Sequence, residues 1–212
     1  AMSGFWRAFL RLFFRLLYNE FAWSYDVVAS LVSLGRWKAW GRTTLHHLRG
    51  ERILELGHGP GHLLVALERQ GFDLVGLDLS PYMGRQAEWR LRRENLSVPL
   101  VRGRAQALPF YDGAFDTVVA TFPTRFIIDP RTLREVTRTT GPKGRLIVAL
   151  GARFEGQGLL ASFLTWLYRV TGQDEPLPDA FDPWLEEAGL SPRTVRERVG
   201  QTTVLLLVAE KR

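Results

Sequence analysis

The sequence predicts an α/β fold: a doubly wound, mostly parallel seven-stranded sheet preceded by an N-terminal helical arm and lid. Three observations predict it. From Arg52 onward short apolar runs alternate with helical stretches, the pattern of βαβ units around a parallel sheet. The first of these runs enters a glycine loop, ELGHGPGH at residues 55–62, and leaves it as a helix. A chain of 212 residues at 46% hydrophobic content fills one core but not two. The expected division is an arm and lid over residues 1–50 and one ligand-binding domain over 51–212.

The elements follow in order. Residues 5 to about 49 are helical in pattern, rich in aromatics and free of proline. The strand candidates are RILEL (52–56), DLVGL (73–77), VPLVR (98–102), FDTVVA (115–120) and GRLIVAL (144–150), each apolar enough to be buried on both faces. Between them lie helices at 61–69, 81–94 and 129–139; Ser80 before Pro81 is a good start, serine capping and proline at the first helical position. After the fifth strand come an apolar helix around 158–170, a proline-bearing loop DEPLPD, a helix near 182–188, and a closing hairpin with strands near 193–199 and 203–209.

Composition excludes several classes. There is no cysteine, so disulfides, thiolate metal sites and cysteine nucleophiles are out, and a cytoplasmic setting is expected. No stretch reaches the roughly 18 uncharged apolar residues of a membrane span. The net charge of +6 is uneven: seven of the 28 Lys/Arg but only Glu20 and Asp26 among the 22 acids fall in residues 1–50. So localised an excess fits an acidic surface met by the N-terminus, rather than the dispersed charge of a nucleic-acid enzyme.

A strand that runs into Gly57, Gly59 and Gly61 puts bare backbone at its carboxyl end, where doubly wound sheets bind ligands. Dinucleotide loops read G-x-G-x-x-G and would require glycine at position 62, which is His62. The spacing from Glu55 to Gly61 is E-x-G-x-G-x-G, that of S-adenosylmethionine (SAM) enzymes. An acid on the strand suits the cationic amino group of SAM and would repel a diphosphate. Asp78 ends the second strand, where a carboxylate accepts both ribose hydroxyls. Leu79 and Met83 then wall the adenine.

From Arg52 to about Leu150 the chain resembles a class I SAM-dependent methyltransferase of Rossmann-like fold. Four ordered motifs carry the resemblance: ELGHGPG, GLDLSPYM, GRAQALPFYDGAFD and LREVTRTTGPKGRLIVAL. Upstream, YDVVASLVSLGRWKAW (Tyr25–Trp40) resembles the helical lid of ubiquinone and menaquinone biosynthesis C-methyltransferases, which implies that Tyr25 folds over bound SAM. Two departures stand out. The asparagine and acid usual after YD are Val28 and Ala29, and the acid that reads the adenine amino group is replaced by Arg104, which has no acceptor. Adenine would be read by backbone near Ala105 and by Gln106. Thr121, after the fourth strand, completes the expected cofactor set with His58, placed near the methionine end.

Competing readings attach to several residues. His58 and His62 are four apart, a metal-ligand spacing on a helix, but one lies in the loop with no third ligand near it in sequence, so no metal is expected. Of the adjacent His46 and His47, at most one faces the pocket. Trp23, Trp37 and Trp40 either line an acceptor pocket or fill core; Arg125, beyond the fourth strand, sits at the pocket mouth or in solvent. The acceptor candidates are thus Trp37, His46, Phe122 and Arg125. No residue announces itself as a catalytic base.

In residues 5–18, FWRAFLRLFFRLLY, Arg7, Arg11 and Arg15 share one arc of a helix and nearly all else is apolar. Such a helix suits the headgroup plane of a membrane, the alternative being packing on its own domain or a dimer mate. Apolar insertion, at about 1.5–3 kcal/mol per deeply buried large side chain, outweighs about 1 kcal/mol per arginine at an anionic surface. The expectation is peripheral attachment to the inner face of the membrane and a lipophilic small-molecule acceptor, best a prenylated quinol or related lipid. N-methylation of a phospholipid headgroup is the alternative enzyme reading. A catalytically silent methyltransferase fold acting as a membrane adaptor is the reading from another class.

Overall fold

The computed structural model describes residues 35–154 and 181–212. The arm at 5–18, Trp23, Tyr25, and the expected helix at 158–170 lie outside the described residues. Among the described residues no helix is long and apolar enough to cross a membrane.

The described chain opens with α1 (Trp37–Arg42), which tightens into a 3-10 turn over Thr43–His47. Then come β1 (Arg52–Leu56), α2 (His62–Glu68), β2 (Asp73–Asp78), α3 (Pro81–Arg93) and β3 (Leu100–Arg102). Beyond them run β4 (Phe115–Thr121), a 3-10 turn Arg125–Ile128, α4 (Pro130–Thr139), β5 (Thr140–Phe154), α5 (Asp182–Glu187), β6 (Leu190–Val199) and β7 (Thr202–Lys211). These form one seven-stranded sheet in the order β3-β2-β1-β4-β5-β7-β6.

The order explains the alternating pattern. β1 and β4 lie at the centre with β2 and β5 outside them, all parallel, so β1 is buried over four of its five residues. β7 alone runs antiparallel, to β5 on one side and β6 on the other. The expected hairpin is thus present, with its second strand inserted into the sheet. Successive residues divide between the faces: Leu54, Val118, Leu146 and Leu207 pack with Leu133 and Val136 of α4 and Leu185 of α5, while Ile53, Val119, Ile147 and Val208 pack with Leu63, Leu64 and Leu67 of α2 and Leu91 of α3.

Local signals set the boundaries. Ser80 accepts the Met83 N–H at 3.4 Å and Pro81 leads α3; Asp129 accepts the Arg131 N–H at 2.9 Å and Pro130 leads α4. Several extents differ from the sequence expectation. β3 starts at Leu100 rather than Val98, after Pro99, which has no N–H to give a ladder. β5 begins at Thr140, because a bulge over residues 141–144 lets Thr140 pair with Phe115 before Arg145 pairs with Thr117. In the described residues before β1, the expected helix is six residues of α-helix and five of 3-10.

Candidate active site

The loop after β1 takes its shape from left-handed backbone. Gly57, Gly59 and Gly61 have φ of 68°, 52° and 81°, a region costly to side-chain-bearing residues. Each serves a different need. A β-carbon on Gly61 would stand 2.9 Å from that of Ala87, so this glycine lets α3 close on the start of α2. One on Gly57 would lie 3.2 Å from the Phe126 ring, whereas Gly59 has nothing within 4 Å and faces open space. The Gly57 N–H donates to the Leu77 carbonyl at 2.7 Å, tying the loop to the end of β2.

Two carboxylates flank the loop. Asp78 accepts the Gly59 N–H at 3.0 Å and the Ser80 N–H at 2.8 Å, one on each oxygen, so the loop and the β2–α3 turn fix its orientation. Each oxygen keeps a second lone pair for a ligand. Glu55 is 1% exposed; the Leu64 N–H in the first turn of α2 bonds its carboxyl, and Oε2 has no partner. Burial pushes its pKa well above the ordinary 4.5, and the Asp78 charge pushes in the same direction. A buried oxygen with an open lone pair is costly until something donates to it.

His58 turns inward. Its ring is buried, lies against Gly76, and is 2.7 Å through Nδ1 from the Gly59 carbonyl, which makes Nδ1–H the donor. Burial lowers its pKa, with Asp78 pulling the other way. It braces the loop from the protein side. His62 is the first residue of α2. Among the described residues no three His, Cys, Asp or Glu side chains group as metal ligands.

Of the expected adenine contacts, Leu79 is 54% exposed at the rim, while Met83 and Ala105 are buried. Gln106 gives its amide N–H to Asp129 Oδ2 at 3.3 Å, which ties this stretch to the cap of α4. Arg104 is exposed and pairs with Ala107 across a tight turn.

On the other side, β4 ends at Thr121, which faces Gly41 of α1. Phe122 adopts φ of 50°, held by its N–H to the Ala149 carbonyl at 2.8 Å and by Trp37, whose ring centroid is 3.9 Å away. A bulky residue there costs on the order of 1–3 kcal/mol, so its surroundings impose the conformation. Trp40 belongs to the core: fully buried, it donates Nε1–H to Thr202 Oγ1 at 2.9 Å. Arg125 is exposed. Phe126, its neighbour, covers Gly57 and was not among the sequence candidates; the aromatic beside Arg125 in TFPTRF was the signal. His46 is not brought to the loop. It is 67% exposed and 3.7 Å from Glu197 on the edge strand β6, and His47 bonds the same carboxylate at 2.8 Å.

The fold and loop define a class I methyltransferase arrangement, and comparison with known proteins agrees. Residues 53–144 match the family described as Methyltransferase domain. The chain is 37% identical over 183 residues to a demethylmenaquinone methyltransferase of Beutenbergia cavernae, covering 81% of this chain and 73% of that protein. It is 35% identical to one of Thermus thermophilus, covering 62% of this chain and 63% of the relative. Geranyl diphosphate C-methyltransferase of Streptomyces coelicolor, solved with S-adenosyl-L-homocysteine, superposes with a TM-score of 0.63 at 15% identity over 82% of this chain and 79% of its own. The chain belongs to the SAM-dependent methyltransferases, in the family that includes the demethylmenaquinone methyltransferases.

Proposed function

We propose that this methyltransferase acts on a lipophilic small molecule drawn from a membrane surface, a prenylated quinol or related lipid. The names of the relatives at 37% and 35% identity support a quinol acceptor, and the basic, apolar pattern of residues 5–18 supports peripheral attachment on the cytoplasmic face. The observation that carries the cofactor assignment is the buried Glu55 carboxyl, open on Oε2, behind a glycine loop with free space at Gly59.

The residues present fit SAM. Glu55 receives the ammonium, Gly57 to Gly61 offer backbone, and Asp78 accepts the ribose hydroxyls on its remaining lone pairs. Leu79 and Met83 wall the adenine, with Ala105 and Gln106 along its edge, and Tyr25 closes over it. When bound, SAM supplies a methyl group already activated by its sulfonium. The chain's own task is positioning and exclusion of water. Thr121, at the end of β4, stays with the cofactor contacts, while Phe122, Trp37, Arg125 and Phe126 border the crevice beyond it and orient the acceptor; no side chain is assigned as its base.

The test is incubation with methyl-labelled SAM and a total lipid extract, followed by mass identification of the labelled product. Label in quinones supports the proposal. Label in aminophospholipids alone, or in no lipid, overturns it.

A further inference from the structure

We propose that Glu55 is carried as the neutral acid in the cofactor-free protein and gives its proton to solvent when the ammonium of SAM docks against it, so that one proton leaves as one cation enters. The inference rests on the reading of this crevice as the SAM site and concerns how that site is charged.

The geometry carries it. Glu55, the penultimate residue of β1, lies inside the protein, 1% exposed, with Oε2 lacking any partner and the other oxygen available to the Leu64 N–H. Two groups act on it: Asp78, at the end of β2, is anionic, and the Leu64 N–H of α2 bonds its carboxyl. His58, in the adjoining loop, spends Nδ1–H on the Gly59 carbonyl. Arg90 of α3 donates to the Pro60 carbonyl. Among the described residues no cation enters the balance on Glu55, so a second carboxylate charge beside Asp78 is opposed by both burial and repulsion. An arriving ammonium reverses both, because the pair is then neutral overall and Oε2 gains a donor.

The step is a proton transfer alone: the Glu55 O–H bond breaks, its proton passes to water or buffer, and a carboxylate–ammonium ion pair forms. Its consequence is pH-dependent affinity, with SAM binding weakening about tenfold for each pH unit below the range in which free Glu55 ionises. S-adenosylhomocysteine carries the same ammonium, so product departure takes a proton back.

Titration calorimetry over a pH series from about 5 to 8, in two buffers of different ionisation heat at each pH, counts the protons. Burial lowers the His58 pKa, which moves its own titration toward the acid end of the series. A release that rises toward one proton per SAM as pH falls through the range in which free Glu55 ionises, the same with S-adenosylhomocysteine and absent with Glu55→Gln, is the expected result. SAM binding without proton release overturns the inference, as does release that survives Glu55→Gln or that occurs with SAM but not with S-adenosylhomocysteine. Should the Gln variant fail to bind, infrared difference spectra of the wild-type protein decide. Loss of a protonated-carboxyl band on SAM addition is expected, and its absence overturns the proposal. A wild-type protein that binds neither nucleoside defeats the cofactor reading itself, a separate outcome.

Discussion

The two halves of the crevice are built by different means. The cofactor half is local: β1, the glycine loop, α2 and the β2–α3 turn lie within residues 52–93, and its bonds run mostly from backbone N–H to backbone or to Asp78. The acceptor half is assembled from afar, with Trp37 on Phe122 across 85 positions of sequence and Phe126 on Gly57 across 69. In the proposed assignment the ligand shared by many enzymes meets backbone, and the acceptor meets side chains on turns.

Perturbations should therefore separate by half. Asp78→Ala strips the acceptor from two loop N–H groups as well as from the ribose, and SAM affinity should fall by about 100-fold in calorimetry. If affinity is unchanged, the first half is not the cofactor half. Trp37→Ala removes the ring against which Phe122 is held; kcat/KM for the acceptor should fall about tenfold while the SAM Kd stays within about twofold. A matching loss of SAM affinity would dissolve the distinction. Phe126→Ala touches both halves through Gly57 and should lower turnover and SAM affinity together, each by several-fold, in paired kinetic and binding measurements. His46→Ala, on an exposed side chain far along the sheet, should leave stability within about 0.5 kcal/mol and activity unchanged.

Stability against pH gives a further contrast. Glu55 is raised above its ordinary 4.5 in the folded protein. It therefore contributes stability that is fully present below that value and lost as pH rises through the folded pKa, at up to about 1.4 kcal/mol per pH unit. Thermal melts of the free protein from about pH 5 to neutral should show this decline, and SAM or Glu55→Gln should flatten it. Asp116 behaves oppositely: the Arg52 guanidinium holds it below the ordinary 3.8, so its contribution is present at neutral pH and lost as the solution falls below about pH 4.

Legibility in the sequence follows the same divide. RILEL was placed to the residue, and the starts of α3 and β4 were correct, because burial periodicity and the Ser80–Pro81 cap act over a few neighbours. Glu55, Asp78 and the glycines were chosen by spacing, and the structure brings them together where β1 and β2 end. Trp40 and Trp37 could not be told apart, since one finds Thr202 and the other Phe122, partners far along the chain. Phe126 escaped for the same reason. His46 was overrated because its partner, Glu197, lies on a strand that the sheet carries to the opposite edge from β3.

The insertion of β7 between β5 and β6 bears on how the domain is made. β6 emerges from the ribosome before β7, yet among the described residues its one sheet neighbour is β7, so it pairs there only when residues 202–211 arrive. The parallel part, β1 to β5 with the cofactor loop, is free to organise earlier. Shortening the chain by that strand would strand β6 and uncover β5 along nine paired positions.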